Sequence, residues 1–282
     1  MSIDIKNLCY TYGENTLFEV AALKDITLSI NDGEYVALIG HTGSGKTTLA
    51  QHFNGLLRAN SGQIMVEGID LSIKKADLMA LRQRVGLVFQ YPEYQLFEET
   101  VFKDIAFGPK NLGLSKEEIT ERVYSTMELV GLDKSEAERS PFELSGGQKR
   151  RAAIAGVLSM RPKVLVLDEP IAGLDPQGKE EILALIKSYH IQYNATIIII
   201  SHNMDDIARV ADRVIALNQG TIALDGTPRE VFSHYEELIS MGLGLPTISK
   251  VVYELNKKGK NVPADIITSE QLFDYILRTA KR

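Results

Sequence analysis

The 282-residue sequence contains no tryptophan and a single cysteine, Cys9. One cysteine excludes a disulfide within this sequence and any zinc cluster built from several cysteines, and it is compatible with a reducing compartment. Aliphatic runs such as residues 197–200 are far shorter than the ~20 residues that span a membrane. The first residues have no basic stretch followed by an apolar segment, so we expect no signal peptide.

The sequence also lacks a block of lysines and arginines, and its formal net charge is −6. Because nucleic-acid binding requires a basic face that neutralises phosphates, the composition argues against nucleic acid as a partner, although a local basic patch remains compatible with it. Apolar residues make up 44% of the chain. This composition and length suit one large domain, or one domain with an appendage.

Strand-like runs alternate with helical patterns, which predicts an α/β fold. Runs that are apolar at every position are typical of strands covered on both faces of a parallel sheet. Three such runs are Tyr35–Ile39, residues 164–167 and Thr196–Ile200. Helical patterns cover residues 46–57, 116–130, 147–160 and 178–189. Half-buried strands predicted at residues 3–8, 26–30 and 63–67 indicate an antiparallel sheet beside the parallel one.

The chain is predicted to divide into a main domain, residues 1–233, and a small α-helical C-terminal appendage, residues 234–282. Within the main domain, residues 112–160 are mostly helical and are expected to form a lobe of their own. Thr268 and Gln271 have the spacing of a capping box, which predicts that a final helix begins there.

A glycine-rich loop follows the first apolar run and precedes a helical pattern. Its sequence matches the phosphate-binding loop of nucleotide hydrolases, in the strand-to-helix context that this motif requires and that a chance glycine-rich turn lacks. We expect its backbone N–H groups to surround phosphates, Lys46 to contact the β- and γ-phosphates, and the Thr47 hydroxyl to bind Mg²⁺. The residues predicted to bind ATP are Gly40, His41, Thr42, Gly43, Ser44, Gly45, Lys46, Thr47 and Thr48.

Two carboxylates, Asp168 and Glu169, directly follow the apolar run at residues 164–167. Asp168 continues the strand and is predicted to hold Mg²⁺. Glu169 lies one residue further, where it can polarise the water that attacks the γ-phosphate. The alternative interpretation, two solvated acids at the end of a strand, is weakened by the phosphate loop.

A second anion-binding surface is predicted where a helix of small and apolar residues begins. Ser145 can cap this helix, and the two glycines after it leave the backbone bare. Because one chain does not need two phosphate cradles, we expect this one to contact the γ-phosphate of ATP bound to another chain. The alternative is a capped helix without a ligand. The residues concerned are Ser145, Gly146, Gly147 and Gln148.

Over about residues 3–232, these motifs and their order resemble the nucleotide-binding subunit of ATP-binding-cassette (ABC) transporters. The resemblance implies a P-loop NTPase of the ABC-ATPase type, with a parallel core sheet flanked by helices, an antiparallel β subdomain and a helical subdomain. The residues at 144–148 match the family signature. One departure is Ile171, where the family often has a hydroxyl residue.

The resemblance also implies roles for further residues. Gln90 matches the glutamine that senses Mg²⁺ and links the site to a membrane partner, and His202 matches the switch histidine that contacts the γ-phosphate. Asp175 matches the loop that crosses the dimer interface. Tyr12 matches the aromatic residue that stacks on adenine, with Tyr10 and Phe18 as nearby alternatives.

Within the family, residues 91–100 and 104–114 look like the ATP-binding subunits of energy-coupling-factor importers, which take up vitamins and transition-metal ions. The segments at 153–158 and 242–246 point the same way. This similarity implies two related ATPases, of which this chain resembles the second. It also implies a membrane scaffold, interchangeable substrate-binding membrane subunits, a C-terminal appendage that holds the two ATPases together, and a peripheral position on the cytoplasmic face of the cell membrane.

Residues 90–99 are predicted to receive the membrane scaffold, and we call them the docking segment. Three acids, Glu93, Glu98 and Glu99, lie there among aromatic residues and would suit a helix with arginines on an apolar face. The alternative is an ordinary solvated acidic loop.

Three rival functions explain less of the sequence. ABC proteins of DNA repair carry long coiled-coil insertions between the phosphate loop and the signature, and no sustained heptads lie between Lys46 and Ser145. ABC proteins that act on ribosomes usually contain two cassettes and a basic linker. A nucleotide kinase would share only the phosphate loop.

Overall fold

The computed structural model describes residues 1–280, and within them ten strands form two sheets. In the larger sheet β10 is antiparallel to β9, whereas the other neighbouring strands are parallel. Its strands, in spatial order, are β10 (Thr221–Gly226), β9 (Arg213–Asn218), β3 (Tyr35–Ile39), β8 (Thr196–Ile200), β7 (Val164–Asp168) and β6 (Val85–Val88). The smaller, antiparallel sheet has the order β2 (Val20–Ile30), β1 (Ile3–Tyr12), β4 (Ser61–Val66) and β5 (Ile69–Asp70).

Helices surround the larger sheet. They are α1 (Lys46–Phe53), α2 (Leu78–Arg84), α3 (Val101–Asn111), α4 (Lys116–Leu129), α5 (Gly146–Leu158), α6 (Pro176–Tyr193), α7 (Met204–Val210), α8 (Pro228–Ser233), α9 (Tyr235–Ser240), α10 (Thr247–Lys257) and α11 (Ser269–Ala280). Short 3-10 turns occur at Pro92–Gln95, Lys134–Glu136 and Pro141–Glu143. No helix in residues 1–280 is long and apolar enough to cross a membrane.

The central strands are apolar at every position because they separate two hydrophobic cores. Along β3, Ala37 and Ile39 face the core that includes α3 to α6, whereas Val36 and Leu38 face the core formed with the smaller sheet and α1. Successive side chains of a strand point to opposite faces, so both faces must be apolar here. The predicted parallel sheet and the antiparallel sheet beside it are therefore confirmed.

Helices α4 and α5 lie within residues 112–160, and α3 packs with them as a group of three helices. Helix α3 packs against α4 and α5, and the Ser159 hydroxyl donates a hydrogen bond to the Ile105 carbonyl over 2.9 Å. Phe102 and Tyr124 lie with their ring centroids 5.8 Å apart. The helical group thus includes α3, which lies before the predicted start at residue 112.

The C-terminal helices pack onto the main domain. Leu238, Val252 and Ile266 are buried in the same core as α3 to α6. The predicted capping box is present, because the Gln271 N–H donates to the Thr268 hydroxyl over 3.4 Å and the Thr268 N–H donates to the Gln271 side chain over 3.3 Å. A domain boundary near residue 234 stays a prediction.

Candidate functional site

The carboxyl ends of four parallel strands lead into one cavity of about 470 Å³. The phosphate loop follows β3, Gln90 lies just beyond β6, Asp168 ends β7, and His202 lies just beyond β8. Open parallel sheets bind ligands at this edge. The cavity is lined by Tyr12, Thr42, Gly43, Gly45, Lys46, Thr47, Thr48, Gln90, Asp168, Glu169 and His202, together with Val20, Ala21, Ala22 and Ile200.

The last four of these residues were not predicted. They are ordinary apolar residues at the edges of β2 and β8, and nothing in their own sequence distinguishes them from core positions. Val20, Ala21 and Ala22 reach the cavity because β2 begins at Val20, opposite Tyr12 in the β1 pairing, and Ile200 reaches it as the last residue of β8.

The conformation of the loop depends on two of its glycines. A Cβ atom on Gly40 would lie 2.3 Å from the Ser44 hydroxyl oxygen, and one on Gly45 would lie 2.6 Å from the Ala22 carbonyl oxygen. Gly43 has a φ of 82°, and its Cβ would meet nothing within 4 Å, so its backbone is open to a ligand. A tight loop with accessible N–H groups fits a phosphate chain.

Lys46 places a buried cation at this loop. Its ammonium donates hydrogen bonds to the carbonyl oxygens of Gly40 at 2.7 Å and His41 at 3.0 Å. Burial lowers the pKa of Lys46, and the negative charges of Glu169 and Asp168 only partly oppose the shift. A polyphosphate would supply the negative charge that this buried ammonium lacks.

Thr47 and Asp168 bring two oxygen ligands together. The Thr47 hydroxyl donates a hydrogen bond to the Asp168 carboxylate over 2.8 Å. Burial raises the pKa of Asp168, although this hydrogen bond and Lys46 lower it in part. The Thr47 hydroxyl, the Asp168 carboxylate and the nearby Gln90 amide offer oxygen ligands that fit Mg²⁺. This ion takes few ligands from the protein when phosphate oxygens supply the remaining ones.

Glu169 and His202 lie next to each other in the cavity lining. Glu169 has a φ of 52°, and its N–H donates to the Ile200 carbonyl over 3.0 Å, which fixes the turn after β7. Its Oε1 lies 3.3 Å from His202 Nε2 and has no hydrogen-bond partner within residues 1–280. Burial, helped by the Asp168 charge, raises the pKa of Glu169 to about 7. Burial and the Lys46 charge lower the pKa of His202.

Tyr12 is the one of the three candidate aromatic residues that lines the cavity. Its hydroxyl lies 3.1 Å from the Thr48 hydroxyl, and 40% of the residue is exposed. Tyr10 instead packs edge-on against His52, with ring centroids 4.8 Å apart, while Phe18 is 86% exposed in the β1–β2 loop. A half-exposed ring that is held at one end suits stacking on a base.

The signature residues lie away from this cavity. Gly147 and Asp175 line a second cavity of about 450 Å³. The predicted cap of α5 is present, because the Ser145 hydroxyl accepts the Gln148 N–H over 3.3 Å and the Gln148 side chain accepts the Ser145 N–H over 3.0 Å. A Cβ on Gly146 or Gly147 would meet nothing within 4 Å, so this backbone is accessible.

Asp175 has a defined local role in the second cavity. Its carboxylate accepts the Gly178 N–H over 2.9 Å and caps α6. One chain therefore presents two separate sets of residues that are predicted to contact nucleotide.

Two of the three acids in the docking segment make ion pairs with helices of this chain. Glu93 makes a two-point ion pair with Arg150 of α5, at 2.8 and 3.0 Å, and Glu99 pairs with Lys103 of α3. Arg150 is distant in sequence from Glu93, so local sequence could not reveal this pairing. Within residues 1–280, only Glu98 of the three acids has no ion pair.

An apolar groove of about 820 Å³ lies beside the docking segment. It runs between α2, α3, α5 and β6. Its apolar lining includes Leu78, Met79, Leu87, Phe89, Leu96, Phe97, Phe107, Val157 and Met160. Asp104 adds a carboxylate to this lining, and it accepts the N–H groups of Phe97 and Glu98.

Known proteins resemble this chain along its whole length. The family model described as "ABC transporter" matches residues 23–172. The energy-coupling factor transporter ATP-binding protein EcfA2 of Caldanaerobacter subterraneus subsp. tengcongensis is 58% identical, over 99% of this chain and 97% of its own length. The EcfA2 of Clostridium perfringens is 55% identical over 98% of each chain.

Solved structures share the fold. CbiO1 from Clostridium perfringens, part of the ABC transporter complex cbiONQ, aligns with a TM-score of 0.74 and 40% identity, over 89% of this chain and 98% of its own. A dimeric ATP-binding cassette in a post-hydrolysis state bound to ADP and Pi aligns with a TM-score of 0.71 and 27% identity, over 80% of this chain and 98% of its own.

Proposed function

Since the chain belongs to the ABC transporter family, among the ATP-binding proteins of energy-coupling factor transporters, we propose that it hydrolyses MgATP at composite sites formed with a second cassette. The observation that carries the proposal is the separation of two surfaces. The phosphate loop opens into one cavity, whereas the signature glycine Gly147 and Asp175 line another. Each surface is half of a site, and a second chain supplies the other half.

The phosphate-loop half holds the nucleotide. Tyr12 stacks on the adenine, the loop N–H groups and Lys46 bind the phosphates, and Thr47, Asp168 and Gln90 would hold Mg²⁺. When bound, this ion neutralises charge on the β- and γ-phosphate oxygens. The Thr47 hydroxyl can keep its hydrogen bond to Asp168 and would offer an oxygen lone pair to the ion.

Glu169 acts as the general base for the attacking water. Its unpartnered Oε1 can accept the proton, and a pKa near 7 suits a base that works at neutral pH. His202 Nε2 lies only 3.3 Å from Glu169 Oε1, and His202 donates a hydrogen bond to the γ-phosphate. The signature of the partner cassette closes over the phosphates from the other side.

The second cassette is proposed to be a paralogue, and the C-terminal appendage helps to hold the two together. One face of α11 leaves Phe273, Ile276 and Leu277 exposed, at 61%, 52% and 44%. Three large apolar side chains on one helix suit a contact with another protein surface.

The groove beside the docking segment is proposed to receive a helix of a membrane scaffold. Its lining is mostly apolar, Asp104 adds a carboxylate to it, and Glu98 directly follows the lining residue Phe97, so the two acids can meet basic residues of that helix. The cassette pair lies at the cytoplasmic face of the cell membrane as a peripheral unit. Opening and closing of the pair moves the scaffold and its interchangeable substrate-binding subunits, which take up vitamins or transition-metal ions.

Isolation of the native assembly tests this function. The tagged chain is purified from detergent-solubilised native membranes, and co-purifying proteins are identified by mass spectrometry. We expect a second, non-identical cassette ATPase, a membrane scaffold and further small membrane subunits. Recovery of a homodimer without membrane proteins, or of nucleic acid or ribosomes, would contradict the transporter function and leave the ATPase in place.

A further inference from the structure

We propose that Arg150 is a positioning residue that joins the docking segment to the signature helix α5 and to the turn between β7 and α6. The inference rests on the proposed function, because it explains how events at the nucleotide reach the groove. Arg150 lies on α5, five residues after the signature residue Ser145, and only 3% of it is exposed.

The Arg150 guanidinium uses three of its nitrogens. Nε donates to Glu93 Oε2 over 3.0 Å, and Nη2 donates to Glu93 Oε1 over 2.8 Å. Nη1 donates to the Ala172 carbonyl oxygen over 2.6 Å. Burial raises the pKa of Glu93, but Arg150 outweighs this effect and holds the pKa below its ordinary value, so the pair remains ionic.

Each partner of Arg150 belongs to a different functional element. Glu93 lies in the 3-10 turn Pro92–Gln95, which follows Gln90 inside the docking segment. Ala172 lies in the turn between β7 and α6, and its N–H donates to the carbonyl of Glu169 over 3.2 Å. The guanidinium therefore connects the docking segment, the signature helix α5 and the turn that begins at Glu169, the proposed general base.

The geometry explains why an arginine is needed at this position. A planar guanidinium presents parallel N–H groups to one carboxylate while a further N–H points to a third acceptor, whereas a lysine ammonium forms a single point contact. The Arg150 side chain is only 4% exposed, so its N–H groups that lose these acceptors are poorly compensated by solvent. The three elements are thus held at fixed distances from one another.

A mechanical consequence follows for the transport cycle. When α5 moves so that the signature closes on the nucleotide of the partner cassette, the Glu93 pair draws the turn Pro92–Gln95 along with it. The docking segment then changes position together with the signature. Without the ion pair, hydrolysis can continue, but the docking segment no longer moves together with α5.

The test uses the complete transporter in liposomes, with two conservative variants, Glu93→Gln and Arg150→Lys. ATP hydrolysis and substrate uptake are measured on the same preparation. We expect uptake to fall about tenfold more than hydrolysis, so that more ATP is consumed per substrate, while KM for ATP stays within about twofold. The double variant should be no worse than the more severe single variant, because both remove the same contact.

A second arginine–glutamate pair provides the matched control. Arg161 and Glu121 lie 2.8 Å apart, but both are substantially exposed and neither contacts the docking segment. Arg161→Lys and Glu121→Gln should leave the ratio of uptake to hydrolysis unchanged. The thermal unfolding midpoint of each variant subunit shows whether a loss of uptake or hydrolysis is due to destabilised folding.

Several outcomes would overturn the inference. Normal uptake in Glu93→Gln, a parallel fall of uptake and hydrolysis, or additive effects in the double variant would show that Arg150 has only a structural role. These results leave the proposed function intact if the unmodified complex transports its substrate with ATP. An unmodified complex without ATP-driven uptake would overturn both.

Discussion

The Thr47 hydroxyl donates a hydrogen bond to the Asp168 carboxylate over 2.8 Å and so joins the first turn of α1 to the end of β7. The two residues lie 121 positions apart in the sequence, yet their oxygens are close enough to be ligands of one cation. This hydrogen bond holds the two residues that would bind Mg²⁺ in place before the ion is present.

Asp168→Asn should therefore weaken the response of hydrolysis to Mg²⁺. The amide keeps the shape and loses the charge, so we expect half-maximal activity to require at least about tenfold more free Mg²⁺. Thr47→Ser retains the hydroxyl and serves as the matched control, with a near-normal Mg²⁺ dependence. An unchanged Mg²⁺ titration in Asp168→Asn would contradict the metal assignment.

Glu169→Gln should bind ATP and nearly stop turnover. Loss of a general base costs about a hundredfold or more in rate, whereas Lys46 and the loop glycines that bind the nucleotide remain. Phosphate release and binding of a fluorescent ATP analogue measure the two properties separately. Turnover similar to that of the unmodified protein would remove Glu169 from the chemistry.

The same substitution should change the pH dependence of stability in the nucleotide-free, metal-chelated protein. The pKa of Glu169 rises from 4.5 to about 7 on folding, so folding favours the protonated carboxyl. The stabilisation from this group is complete below pH 4.5 and is lost as the pH rises through 7. A shift of this size corresponds to a stabilisation on the order of 3 kcal/mol.

Glu169→Gln cannot ionise and does not lose this stabilisation. Its thermal midpoint, measured by calorimetry, should exceed that of the unmodified protein at pH 8 by more than at pH 5. A difference in midpoint that does not vary between these pH values would show that burial does not raise the pKa of Glu169.

Tyr12 should contribute to ATP affinity through its ring and not through its hydroxyl. We expect Tyr12→Ala to weaken ATP binding about three- to tenfold, and Tyr12→Phe, which loses only the contact to Thr48, to bind almost normally. Phe18→Ala is the control, because Phe18 lies outside the cavity. A larger loss of ATP affinity in Phe18→Ala than in Tyr12→Ala would show that Phe18, and not Tyr12, stacks on the adenine.

The sequence predicted those parts of the molecule whose determinants are local. Apolar runs such as Tyr35–Ile39 reveal strands covered on both faces, and the loop glycines reveal backbone that must turn tightly. The sequence did not predict contacts between distant segments. The ion pair between Glu93 and Arg150 is an example, because Arg150 lies on α5 and reaches Glu93 only through packing.

The extent of β1 shows a second limit of sequence-based prediction. Register shifts between Ile5 and Thr11 let the strand continue to Tyr12, beyond the predicted end at residue 8. Irregular pairing of this kind depends on the neighbouring strand, so the hydrophobic alternation of β1 alone does not reveal it. The extension is what brings Tyr12 beside Thr48.

The central claim is that the signature of this chain acts on nucleotide held by the other cassette, and photolabelling of the intact complex with azido-ATP tests it most directly. The two cassettes are separated after labelling. For Gly147→Asp, which places a negative charge on the exposed signature backbone, we predict that label on this chain persists and label on the partner cassette is lost. Loss of label from this chain, with the partner labelled normally, would contradict the composite site.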